Sequence, residues 1–237
     1  LVVEWEGLGC LFSSTADADG VFLAVEGADA TKLDKFRATS LMACQRYLAG
    51  KLSLHGSAVA LPSGAIVLIG DRGAGKSTTA MALTERLGAA FLADDIVPVD
   101  WEGPDPVVQP VQDSFWLAND ASAWFGLQAS STEKRPFPPR NRAGKPERLK
   151  AVVHLDFDEA LLDDVDLQPM RGHEAFVALS LAHVCFPQGR DDDALRNLEA
   201  RFEFVRHTQL LKLRRRRSLK TVNRACDILA QRLGALP

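Results

Sequence analysis

The stretch GAIVLIGDRGAGKSTTAMALTERLG, residues 64–88, decides the reading of this chain. Residues 65–69 are apolar at successive positions, as a strand buried on both faces should be. Farther on, Ala80, Leu83 and Leu87 recur on one helical face and Gly88 supplies a stop. Between the two lies GDRGAGKS, in which Gly70, Gly75, Lys76 and Ser77 satisfy the pattern G-x-x-x-x-G-K-[ST]. Glycines let such a loop curl until its N–H groups converge on one centre, and the helix that follows adds its positive dipole end. Gly73, Ala74 and Thr78 complete the expected phosphate-binding set. Lys76 is placed to neutralise β- and γ-phosphate charge and the Ser77 hydroxyl to ligate Mg²⁺. At average composition the pattern arises by chance in about one chain in a hundred of this length. A chance match would seldom fall between an apolar strand and a capped helix. The expectation is a site for a nucleoside triphosphate with Mg²⁺.

Working outward, FLADD at residues 91–95 puts Asp94 and Asp95 at the end of a predicted strand, where a carboxylate can face the loop. One acidic residue there supports Mg²⁺; two allow a division of labour, because successive strand side chains point opposite ways. One can take a proton from an attacking hydroxyl while the other supports the metal. The plainer alternative is that one Asp caps the strand-to-turn transition. On the other side, LHGS at residues 54–57 places His55 and Ser57 two apart, on one strand face.

The whole chain sets bounds. Its 237 residues suffice for one sizeable core, and 46% apolar with 25% charged residues is ordinary for a globular protein. A net charge of -3 gives no general reason for nucleic-acid binding. Cys10, Cys44, Cys185 and Cys226 lack CxxC spacing, so reduced thiols are expected in place of a disulfide framework or metal site. No apolar run reaches the ~18–20 residues that span a bilayer, and no signal-peptide pattern is seen. The expectation is a cytoplasmic protein with no membrane and no nucleic-acid partner.

Two units are expected: a small β/α element over 1–50 and the phosphate-loop domain over 51–237. Short strands within 1–27 precede a helix capped by Thr31 and stopped by Gly50. Residues 54–61 and 65–69 read as strands joined by the turn PSG; 89–99 is a buried strand and WEGPDP turns it into a hairpin. A helix near 120–127 leads into the proline-rich, basic stretch 128–148, the longest irregular segment. Strands at 151–157 and 209–213, a helix around 174–186 and an amphipathic closing helix at 218–233 complete the reading.

Taken together, LHGS, the apolar strand, GDRGAGKS, the helix and FLADD resemble the catalytic domain of HPr kinase/phosphorylase and its smaller relatives. Those relatives include kinases encoded with lasso-peptide biosynthesis, which phosphorylate a precursor peptide. The likeness covers about forty residues and softens beyond Val99, where the element order fits the smaller relatives better. It implies the phosphoenolpyruvate-carboxykinase-like α/β phosphate-loop fold. It implies ATP and Mg²⁺ at Gly70, Gly73, Ala74, Gly75, Lys76, Ser77 and Thr78, and a catalytic set of Asp94, Asp95, Lys76 and His55. Asp94 matches the family's base for the acceptor hydroxyl. Asp95, with Ser77, matches the metal side, and His55 a histidine near the phosphates. The family's glycine-rich signature loop is absent, so neither phosphorolysis nor HPr as acceptor follows. The expected activity is transfer of the γ-phosphoryl group to a serine on a peptide or small protein. A small-molecule kinase and a non-catalytic ATP-sensing module are the alternatives, and self-association is left open.

Other candidates compete for roles. Asp156 ends a strand but sits beside Asp158, Glu159, Asp163 and Asp164, which suggests an acidic surface turn. Arg135, Arg140, Arg142 and Lys145 of the basic stretch 134–150 can steady transferring phosphoryl charge or belong to a solvated loop. The run at 214–217 is read mainly as solvated surface, and the four tryptophans as core or groove wall.

Overall fold

Alternation and the PSG turn fold residues 53–69 into a hairpin of β4 (Ser53–Leu61) and β5 (Gly64–Ile69). In this computed structural model, which describes residues 2–13, 20–127, 135–186 and 191–234, that hairpin lies at the middle of a seven-stranded sheet. Its other strands are β6 (Ala90–Glu102), β7 (Asp105–Val108), β10 (Glu147–Phe157), β11 (Val165–Met170) and β12 (Leu210–Arg215). The order is β11-β12-β10-β5-β4-β6-β7. Only β10 with β12 and β10 with β5 run parallel, so the α/β fold has a mostly antiparallel sheet. The sheet curls until β7 also pairs with the start of β10, Val108 opposite Glu147. Among the described residues, β11 is then its open edge.

Because strand side chains alternate, β5 feeds two cores. Ile66 and Leu68 face one core with Leu83 of α3 (Lys76–Leu87) and Leu229 of α7 (Lys220–Leu233). Val67 and Ile69 face the other, with Leu179 of α5 (Gly172–Ala182) and Phe204 of α6 (Asp191–His207). Helices on both faces bury most of the hairpin and fix where the loop after β5 emerges.

The N-terminal residues form a separate antiparallel sheet of β1 (Val2–Trp5), β2 (Gly9–Ser13) and β3 (Gly20–Ala24). Its apolar cluster includes Val3, Leu11, Phe36, Leu41 and Cys44. The helix expected after Thr31 is interrupted. It runs as α1 (Ala30–Phe36), a π-helical turn (Arg37–Leu41) and α2 (Met42–Leu48). Asp29 caps it, its carboxylate accepting the Lys32 N–H at 2.9 Å, so the cap is not Thr31. At the turn, Thr39 Oγ1 donates to the Lys35 carbonyl at 2.7 Å.

Three further departures are physical. β11 buries only Val165 and Met170 fully, leaving no alternation for a reader to see. In α6, Leu195 and Phe202 are exposed, which dilutes the helical stripe, and α5 ends at Ala182. The described part of the basic stretch is less irregular than expected. β9 (Arg135–Phe137) pairs with β8 (Phe115–Leu117), and the Phe91 N–H donates to the Asn141 carbonyl at 2.9 Å. The rest of that expectation, 128–134, lies outside the described residues.

Candidate functional site

The loop from Gly70 to Gly75 joins β5 to α3, whose first residues are Lys76 and Ser77, and its glycines are used for shape. Gly70 has φ 135° and Gly75 φ 89°. A Cβ on Gly70 would lie 2.5 Å from the Leu155 carbonyl oxygen, and one on Gly75 2.6 Å from an Arg215 guanidinium nitrogen. Gly70 therefore requires glycine on two grounds, and Gly75 on its backbone conformation. Gly75 caps α3 without a side-chain hydrogen bond, which leaves the first N–H groups of the helix for a ligand. Lys76 folds back over the loop and its Nζ donates to the Gly70 carbonyl at 2.8 Å and the Asp71 carbonyl at 3.1 Å.

β6 brings the carboxylates alongside. The β4–β6 register sets Ser57 opposite Asp94 and Gly56 opposite Asp95. Asp94 is 1% exposed. Its Oδ1 accepts from the Ser57 hydroxyl and its Oδ2 from the Trp116 N–H at 2.8 Å. Burial pushes the Asp94 pKa up, while the hydrogen bonds from Ser57, Trp116 and the Ser77 hydroxyl pull against it, and the nearby Asp95 charge adds to the rise. The Asp94 N–H is held by the Gln112 side-chain carbonyl, and the same amide donates to the Ala38 carbonyl at 3.3 Å.

Regular alternation would send Asp95 away from Asp94, which is how the sequence assigns them separate tasks. Asp95 instead adopts φ 73°, the one positive φ among the described non-glycine residues. Both carboxylates line the same cavity as a result. That conformation costs on the order of 1–2 kcal/mol in a non-glycine residue. The Asp95 Oδ1 lies 3.4 Å from His55 Nδ1, which is also 3.1 Å from the Asp95 carbonyl oxygen. His55 thus stands at the cavity beside Asp95, and Ser57, two residues on, is buried against Asp94.

The cavity measures about 720 Å³ and brings together His55, Gly73, Gly75, Lys76, Ser77, Thr78, Asp94 and Asp95. Gly70 and Ala74 shape the loop from behind: Ala74 is buried and its carbonyl accepts from Arg215 at 3.5 Å. The glycine cradle, the uncapped helix start and the Ser77 hydroxyl and Asp95 carboxylate lining one cavity fit a triphosphate with Mg²⁺, which commonly takes one or two carboxylates and the substrate's own phosphate oxygens.

No family model and no curated protein matches this chain. It is similar to the solved HPr(Ser) kinase/phosphatase from Coxiella burnetii, at 12% identity and a TM-score of 0.41, over 77% of this chain and 97% of that one.

Several residues fall elsewhere than the sequence suggests. The run 214–217 is not simply solvated. Arg214 pairs with Asp166 at 2.7 Å and Asp158 at 3.2 Å. Arg215 is 3% exposed behind the loop, donating to Ser218 and Thr221 and stacked on Phe157. Burial lowers its pKa. Arg140 pairs with Glu85 at 3.1 Å and Arg142 donates to the Asp113 carbonyl at 2.8 Å; neither lines the cavity. Asp156 lies 3.7 Å from Lys212 and is also outside it. The lining residues that escaped the sequence reading as site residues are Lys35 of α1, Gly56 of β4, Arg72 of the loop, Trp116 and Leu117 of β8, and Ala118 and Asp120 just beyond it. Trp116 was foreshadowed only as a groove-wall tryptophan, and nothing local marks Lys35.

Among the described residues, no helix is long and apolar enough to cross a membrane.

Proposed function

We propose that this chain is an ATP-dependent kinase that transfers the γ-phosphoryl group to a serine hydroxyl of a peptide or small protein. The observation that carries the reading is Asp94, a buried carboxylate of raised proton affinity in the wall of a phosphate-loop cavity. A pure nucleotide sensor needs metal support but no such base.

In the mechanism, the loop amides and the start of α3 hold the phosphates, and Lys76 exchanges its loop carbonyls for phosphate oxygens. Ser77 and Asp95 would hold Mg²⁺, which when bound neutralises charge on the β- and γ-oxygens. Asp94 already accepts from Ser57, Trp116 and Ser77. A carboxylate offers about four lone-pair sites, so one direction remains for the acceptor hydroxyl. As that oxygen attacks in line, its proton passes to Asp94 and the bond to the leaving ADP oxygen breaks. His55 fixes the orientation of Asp95.

A chain-borne acceptor is supported by access: the side chains of His55 and Asp95 remain 44% and 41% exposed, so the hydroxyl need not be carried by a small, engulfed molecule. Within that class, the acceptor we favour is a biosynthetic precursor peptide of the lasso type. The experiment is incubation with γ-labelled ATP and Mg²⁺ against separate pools of peptides and metabolites. Label on serine of a peptide is the expected result. Label only on metabolites identifies a small-molecule kinase, and intact ATP with no labelled acceptor leaves the sensor.

A further inference from the structure

The cavity's lysines and arginines are unevenly supplied. Arg72 and Lys76 come from the phosphate loop, while Lys35 arrives from α1 of the N-terminal element. Its ammonium rests 3.7 Å from the centroid of the Trp116 ring. Among the described residues it has no ion pair with a carboxylate. A cation on an aromatic face is held weakly compared with one on an oxyanion, so Lys35 is stored there and easily redirected.

Its position is fixed from two sides. Phe36, next along α1, packs in the N-terminal apolar cluster with Trp5 and Phe22, and the Lys35 carbonyl takes the Thr39 hydroxyl at the π-helical turn. Just beyond, the Ala38 carbonyl is tied through Gln112 to the Asp94 N–H. Trp116, under the ammonium, donates its own N–H to Asp94. The N-terminal element is therefore docked on the segment that holds the proposed base, with its one lining cation at the cavity.

Charge supplies the reason. Transfer brings the terminal phosphate beside Asp94 and Asp95, two acidic groups that repel it. Lys76 of the loop is shared between the β- and γ-phosphates, and a further cation outside the loop adds to the offset of that repulsion at the outer one. We propose that Lys35 is a phosphoryl-binding residue whose ammonium leaves the Trp116 face to hold the terminal phosphate of the nucleotide. This rests on reading the cavity as an ATP site.

The test is calorimetry on the full chain with Mg²⁺ and either a non-hydrolysable ATP analogue or ADP, for wild type, Lys35→Met and Lys35→Arg. Methionine keeps the apolar stem and removes the charge. Lys35→Met should weaken the triphosphate analogue about tenfold, the loss of one charge-assisted contact, and leave ADP unchanged, with Lys35→Arg restoring wild-type binding. The proposal is overturned if Lys35→Met leaves the analogue unaffected, weakens both nucleotides alike, or is not rescued by arginine. Wild-type protein that binds neither nucleotide overturns the ATP-site reading itself, a result distinct from the others.

Discussion

The two sides of the cavity are built in opposite ways. One is backbone: eight consecutive residues, Gly70 to Ser77, curled by glycine and continued by a helix start. The other is side chains from separate segments, with Lys35, His55, Asp94, Asp95 and Trp116 gathered by sheet register and by docking of α1. A contiguous wall stands or falls as a unit, whereas a gathered wall can lose one member and keep its shape. Nucleotide affinity should therefore follow the first, with Lys35 adding to the hold on a triphosphate, and transfer should follow the carboxylates of the second.

The sharpest way to break that distinction is Asp94→Asn. Transfer should fall about a thousandfold, the range of a lost general base, with Mg-ATP affinity within about threefold by calorimetry. A matching collapse of binding would merge the two walls into one. Lys76→Ala should do the reverse and weaken Mg-ATP about a hundredfold, dragging transfer down with it.

His183 tests how far the gathered wall depends on the frame beneath it. It is bridged to Leu54, the neighbour of His55, and burial lowers its pKa from 6.5 to about 4. The folded protein keeps the imidazole neutral, while the unfolded chain protonates it below pH 6.5, so its stabilising share is full above that value and is lost as pH falls toward 4. Between pH 7 and pH 5 the loss is about 2 kcal/mol. Urea unfolding at the two pH values, with His183→Gln showing a shallower decline, checks it.

Smallest is the expected effect of Arg215→Met. The buried cation behind Gly75 supports the loop from outside its eight residues. Losing it should weaken Mg-ATP about tenfold and leave the rate at saturating ATP alone. A fall in that rate with no change in affinity would place Arg215 with the gathered wall.

The same contrast explains what could be read from the chain. The loop is legible because its constraints, positive φ, close backbone approach and a lysine folded back over it, all fall within one short window. Asp94 and Asp95 are legible as a pair, but alternation is a rule for regular strands and the left-handed turn at Asp95 breaks it. Lys35 and Arg215 carry no local signal, since their meaning comes from packing against Trp116 and Gly75. The cap shows a different limit: Asp29 and Thr31 are both good capping residues two positions apart, and periodicity cannot choose between them. The arginines of the basic stretch were open to either a phosphoryl contact or a solvated loop, and Arg140 and Arg142 are engaged with Glu85 and Asp113.

The curl of the large sheet has a further consequence. Pairing of β7 with β10 covers one margin, so among the described residues β11 is the open margin of that sheet. That strand is six residues long and carries Pro169, which has no N–H to offer, and its Asp166 is tied by Arg214. A neighbouring chain that tried to add a strand there would find the row of donors interrupted. A single imino acid thus makes this margin of the large sheet a poor template for ribbon-like pairing.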